Sequence, residues 1–255
     1  MDLFFSLLPP QLWVIAMSIA VAGGFVKGVV GFAMPMVVIS GLSSFIEPEL
    51  ALAGLILPTL VANGTQAFGQ GLASARATAR RFWVFLVVGG LVLIGSAQLV
   101  RSLPIHVLLG LIGVPVVLFA VLQLAGWRLV LRRQRKDVEA GIGAFAGFLG
   151  GISGVWGPPT VLYLTALGTG KSEQMRAQGV IYGLGAIALV GAHIGSGVLR
   201  AETLPLSLAL IAPALVGQWL GGKVLDRIDQ AMFRQATLMV LLIVGMNLIR
   251  RSLMA

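Results

Sequence analysis

The stretch GISGVWGPPTVLYLTAL, residues 151–167, is apolar enough for lipid, yet it carries Gly151, Gly154 and Gly157 and sets Pro158 beside Pro159. A helix that only had to span a bilayer has no use for such punctuation. Proline inside a helix removes a backbone hydrogen bond and clashes with the preceding turn. The same pattern stands earlier in the chain. Shifting the sequence by 123 positions lays Gly24, Gly28, Gly31 and Pro35 on Gly147, Gly151, Gly154 and Pro158 without a gap. After a small insertion Gly54 falls on Gly179. Residues 12–126 and 140–249 therefore read as two copies of one unit, and such a repeat shapes every later fold argument.

Composition fixes the environment. Of 255 residues 58% are hydrophobic and only 11% charged, against roughly 25% charged in soluble domains. The chain reads as an all-α polytopic membrane protein. No polar stretch exceeds about a dozen residues, which leaves no room for a soluble domain. Cysteine is absent, so disulfides, thiolate metal sites and cysteine nucleophiles are excluded. The formal net charge of +9 reads as a set of orientation signals in loops, not as a nucleic-acid surface. The first segment is too long and glycine-rich for a cleaved signal peptide and is expected to be retained.

Hydrophobic runs give ten segments, at about 12–31, 33–46, 50–70, 82–101, 105–126, 140–153, 156–168, 177–199, 204–222 and 232–249. Some pair into single crossings, so eight to ten membrane segments are expected. The division is residues 1–126 as first repeat, 127–139 as basic cytoplasmic linker and 140–255 as second repeat. The linker WRLVLRRQRKD, 127–137, is the most basic stretch. Five crossings per copy would invert the second copy and place 13 basic residues inside against 4 outside. A parallel arrangement gives 11 against 6. Cytoplasmic loops carry the excess of lysine and arginine, so the inverted arrangement is favoured.

Residues 12–46 are almost continuously apolar. As one helix they would reach about 52 Å at 1.5 Å per residue, against a hydrocarbon core of about 30 Å. The chain must fold back, and the glycines of 23–31 with Pro35 mark the place. The pieces after each break, 33–46 and 156–168, are expected to be half-helices that begin at membrane depth. Such a start carries free N–H groups that lipid cannot satisfy, and a partial positive charge that suits an anion. Proline in the first turn costs nothing there. Glycine lets a backbone or a ligand approach closely. Close helix packing through small residues is the bland alternative.

Polar residues within the apolar runs supply candidates for a substrate site: Lys27, Gly31, Pro35, Asn63, Gln66, Gly154, Trp156, Pro158, Gln178, Tyr182 and His193. Lys27 is costly inside an apolar segment; snorkelling to an interface would make it structural instead. His193 is a proton carrier, an anion donor or a hydrogen-bonded core histidine. Asn63, Gln66, Gln178 and Tyr182 are neutral polar groups, which helix–helix bonding would also explain. All nine acids lie at segment ends or in loops. That argues against a cation pathway and a carboxylate proton relay. No hydrolytic constellation or phosphate-binding loop stands out. No enzyme activity, cofactor or metal is therefore expected.

AGGFVKGVVGFAMPMVV, 22–38, and AGFLGGISGVWGPPTVLYL, 146–164, resemble the duplicated glycine/proline motif of the sulfite exporter TauE/SafE family of membrane permeases. The resemblance covers most of both halves. It implies a multi-pass cell-membrane protein that moves small sulfur-containing anions such as sulfite or organosulfonates. One asymmetry stands inside it, because Lys27 falls where the second copy has Gly150.

The expectation is a secondary transporter, an exporter of a small anion. The anion would lie near the bilayer midplane between two half-helix starts, and one part of the inverted pair would rock against the rest. Its partners are the substrate and the bilayer, with a homodimer possible and nucleic acid excluded. A passive anion channel shares the same dipole logic. An embedded lipid-phosphate enzyme would need acids and bases clustered at one depth, which the sequence lacks.

Overall fold

The computed structural model describes residues 7–97, 105–127, 130–131, 133–153, 156–195 and 197–254. Among these, the regular elements are helices. They are α1 (Pro10–Val30), α2 (Met34–Leu42), α3 (Pro48–Phe68), α4 (Leu72–Arg81), α5 (Trp83–Ala97), α6 (Ile105–Leu124), α7 (Lys136–Ser153), α8 (Gly157–Ala166), α9 (Lys171–Gly195), α10 (Leu204–Ala209), α11 (Ile211–Arg227) and α12 (Gln230–Met254).

The runs at 12–31, 33–46, 50–70, 140–153 and 156–168 fall on α1, α2, α3, α7 and α8. Three details differ from the sequence expectation. Residues 72–81, expected as an inside loop, form α4, because LASARATARR is rich in alanine and arginine, which favour helix whatever their hydropathy. α9 begins at Lys171, well before the apolar run does. The run 204–222 divides at Leu210 into α10 and α11; Pro213 cannot donate back to Ala209, which ends one helix and opens the next.

Among the described residues, five stretches are long and apolar enough to cross a membrane: Pro10–Val30, Glu49–Phe68, Lys171–Gly195, Leu204–Arg227 and Gln230–Met254. A sixth arises if α4 and α5, which meet at a bend of 73°, count as one. This is fewer than the eight to ten segments expected; α2, at 9 residues, and α8, at 10, are too short to cross alone.

Compactness divides the chain along lines other than its two halves. One unit holds 1–72 and 178–229, the other 73–177 and 230–255. In the first, α1 packs along α11, with α2 folded back on α1 and α10 on α3. The contact of α1 with α11 is backbone on backbone. A Cβ at Gly24 or Gly28 would strike the carbonyl oxygen of Ala214 or Gln218, and one at Gly217 or Gly221 that of Val21 or Phe25. Small residues allow such close approach in membranes, where packing replaces the hydrophobic drive. Gly23 admits Val38 and Met34 of α2 in the same manner. Trp13, Ala16, Ala20, Met34, Val38, Leu55, Leu206 and Leu210 fill the core between these helices.

In the second unit α5 packs along α7 and α6 along α12, with α8 against α6 and α7. Gly147 of α7 lies against the Gly89 backbone, Gly143 against Phe85, and Gly113 of α6 against Gly245 and Ile249. The Ser96 hydroxyl donates to the Gly147 carbonyl at 3.4 Å. Gly24, Gly28 and Gly147 of the repeated frame thus serve helix crossings and not ligand access.

Candidate functional site

α1 stops where its backbone turns left-handed. Gly31 has φ 87°, and its N–H donates to the Lys27 carbonyl at 2.7 Å. Such an end suits glycine, which has no Cβ to clash. Ala33 repeats the conformation at φ 72° and is the one non-glycine residue with positive φ among the described residues. An alanine held there costs about 1 kcal/mol or more. α2 then starts at Met34, with Pro35 at its second position and no side-chain cap.

A helix end leaves carbonyls without partners, and buried ones must find donors. Three sequence candidates converge on them. The Gly31 carbonyl accepts from Lys27 Nζ at 3.4 Å and from Gln66 Nε2 at 3.2 Å. With its amide nitrogen facing the break, Gln178 donates to Val30 and Gly31 carbonyls, both at 3.1 Å. Asn63 completes the set: its Oδ1 accepts from Lys27 Nζ at 2.6 Å, and its Nδ2 donates to the Tyr182 carbonyl at 3.3 Å. The helix pattern explains the convergence. Asn63 and Gln66 are three apart on α3, and Gln178 and Tyr182 four apart on α9, so each pair shares a face.

Lys27 is only 2% exposed. Among the described residues no carboxylate lies within ion-pair distance of it. It does not snorkel to an interface. The C-terminal end of α1 contributes a partial charge of only about −0.5, which leaves the ammonium under-compensated.

On the other side of the break the backbone offers donors. The N–H groups of Phe32, Ala33 and Met34 form no hydrogen bond among the described residues. Those residues are 3%, 5% and 0% exposed. Buried free amides are rare in native proteins, and here three follow one another directly after the Gly31 carbonyl that accepts from Lys27. Thr59, one helical turn before Asn63 on the same face of α3, is buried with its hydroxyl unbonded. The sequence reading missed Thr59, although its four-residue spacing from Asn63 was a usable signal.

The structure brings Lys27, Gly31, Asn63, Gln66, Gln178 and Tyr182 together. Pro35 sits just inside α2. His193, in the last turn of α9, stands apart by about three turns from Tyr182; its carbonyl accepts the Leu199 N–H at 2.9 Å. Trp156 and Pro158 belong to the second unit, and Gly154 lies outside the described residues. Trp156 precedes α8, and its ring lies over Gly150, where a Cβ would come within 3.0 Å of Cε3.

A further buried carboxylate was not singled out from sequence. Glu139, 2% exposed, accepts the Phe85 N–H at 3.1 Å and Gln134 Nε2 at 2.7 Å. The bend before α5 leaves the first amides of that helix without backbone partners, and Glu139 takes one. Gln134 also accepts from Arg81 Nε at 2.9 Å and donates to the Arg81 carbonyl at 3.0 Å. Arg81 in turn pairs with Glu173.

A chain of stacked apolar helices, interrupted by glycine and proline around a buried cation, matches a known family. The sequence profile described as Sulfite exporter TauE/SafE covers residues 16–248. The chain belongs to the sulfite exporter TauE/SafE family. It is therefore an integral membrane protein of a permease family. No curated protein and no solved structure matches it.

Proposed function

We propose that the chain exports a small anion, such as sulfite or an organosulfonate, across the cell membrane, and binds it at the break between α1 and α2. One observation carries this reading: the Lys27 ammonium is buried against the neutral oxygens of Gly31 and Asn63, and the chain that follows Gly31 carries three buried amides without a partner among the described residues. A buried charge without a counter-charge is costly. A bound anion would supply that charge and accept from the amides of Phe32, Ala33 and Met34. The Thr59 hydroxyl would offer one more donor. Gln66, Gln178 and Asn63 support the site in this reading. They hold the carbonyls and the ammonium in place, and so orient the cation toward the ligand. The absence of ATP-binding motifs makes transport secondary, driven by proton, substrate gradient or membrane potential.

The transmembrane architecture belongs to the same proposal. Eight to ten segments, some of them half-helices, would arise from two inverted copies. The crossed packing supports the duplication. α1, the first helix of copy one, pairs with α11 of copy two; α7, the first helix of copy two, pairs with α5 of copy one.

The test uses purified protein and thermal unfolding with sulfite, sulfate, taurine, sulfoacetate, isethionate and carboxylate controls. A ligand of the native state raises the melting temperature by mass action. The expected result is a saturable rise with sulfur oxyanions that Lys27→Met removes. A Lys27→Met protein that responds like the wild type would take the site away from this break.

A further inference from the structure

The two breaks that the repeat equates are chemically unlike. In the first copy Lys27 stands by the break, and Ala33 leads into α2. The 123-residue shift puts Gly150 in the place of Lys27 and Trp156 in the place of Ala33. The Trp156 ring lies over Gly150, where a Cβ would come within 3.0 Å of Cε3. In the second copy an indole thus crowds the position that corresponds to Lys27.

Its donors and charge differ as well. α8 carries proline at both its second and third helical positions, whereas α2 carries one. Each proline removes a potential N–H donor. No lysine, arginine or histidine occurs between Lys136 and Lys171. Around the first break, the partial charges of the α1 end and the α2 start oppose one another and roughly cancel. The unit charge of Lys27 remains. Asn63, Gln66 and Gln178, which bond there, are neutral.

We infer that each chain holds one singly charged oxyanion, at the first break, where Lys27 supplies a cation that the second copy lacks. This rests on the Lys27 site proposed above and narrows its ligand. A second negative charge in the same place would find no cation and would meet the carbonyls of Val30 and Gly31. A dianion would therefore lose more hydration than the site returns.

Isothermal titration of the full chain in lipid nanodiscs tests this with methanesulfonate and sulfate, which share a sulfur-oxygen head but differ in charge. One methanesulfonate per chain is expected, with sulfate at least about tenfold weaker. Asn63→Asp is the decisive variant. It places a carboxylate where Oδ1 already lies 2.6 Å from Lys27 Nζ, so it supplies the missing counter-charge from within. Methanesulfonate binding should fall at least about tenfold; the variant also gives up the Nδ2 bond to the Tyr182 carbonyl, so its melting temperature is measured to show that it folds.

Two methanesulfonates per chain, or sulfate as tight as methanesulfonate, would overturn the inference even if Asn63→Asp still weakens binding; the Lys27 site itself would survive. Unchanged binding in a folded Asn63→Asp protein would remove the site and the inference together. Should Asn63→Asp fail to fold, the stoichiometry and the sulfate ratio of the wild-type chain still decide.

Discussion

At the scale of single residues, the break before α2 holds two costs that can be measured apart. Ala33 sits at φ 72°, where an L side chain meets the following carbonyl. Ala33→Gly should leave stability unchanged or raise it by about 1 kcal/mol, while Ala33→Val should lower it by about 1–3 kcal/mol. Thermal unfolding of the unliganded protein reads both. Thr59 is the second cost, a buried hydroxyl without a partner. Thr59→Val keeps the shape and removes the unmet bond, so the unliganded protein should gain roughly 1 kcal/mol. The same variant should respond less to sulfur oxyanions if the hydroxyl donates to the ligand. Lys27, Asn63, Gln66, Gln178 and Tyr182 were legible in sequence because polar groups inside apolar runs are conspicuous. Their partners were not. That Lys27, Gln66 and Gln178 turn toward the carbonyls of the α1 end, and Asn63 toward Lys27 and the Tyr182 carbonyl, depends on where three distant helices meet, which no local pattern contains.

Between elements, the glycines decide which helices touch. Gly24 and Gly217 let α1 and α11 meet through their backbones. Gly24→Leu or Gly217→Val should therefore sharply reduce the yield of folded protein. Gly64→Ala is the control, since a Cβ there meets nothing within 4 Å. It should be neutral or slightly stabilising, because alanine is the better helix former. Size-exclusion profiles and melting temperatures in detergent separate the two outcomes. In the second unit Glu139 ties α7 to the start of α5. Glu139→Ala removes the acceptor of a buried backbone N–H and should cost about 1–3 kcal/mol. The breaks themselves were readable, because glycine followed by proline cannot continue a helix. The helix over 72–81 was not, since hydropathy is silent about polar helices. Glu139 was discounted as a segment-end acid because sequence position does not reveal burial.

For the molecule as a whole, the 123-residue shift in the sequence did not reveal how the chain divides in space. Each unit draws helices from both halves of the sequence, so that neither half is a body by itself. A chain cut in the linker 127–137 is expected to yield two fragments that are each unstable alone. Co-expressed, they should recover a folded complex, because the linker itself contributes few of the helix crossings. Co-purification of a tagged first fragment with an untagged second one measures this. Recovery of a stable, monodisperse first fragment alone would contradict it.

The pairing of α1 with α11 also sets a timetable for biosynthesis. Gly28 leaves the ribosome long before Gly221 does, by roughly ten to forty seconds at about 5–20 residues per second. Throughout that interval α1 stands in the membrane with its glycine face uncovered, and for most of it the carbonyls of Val30 and Gly31 lack Gln178 as well. The nascent protein would depend on the insertion machinery, or on provisional neighbours such as α3, to shelter that face until the tail of the chain arrives.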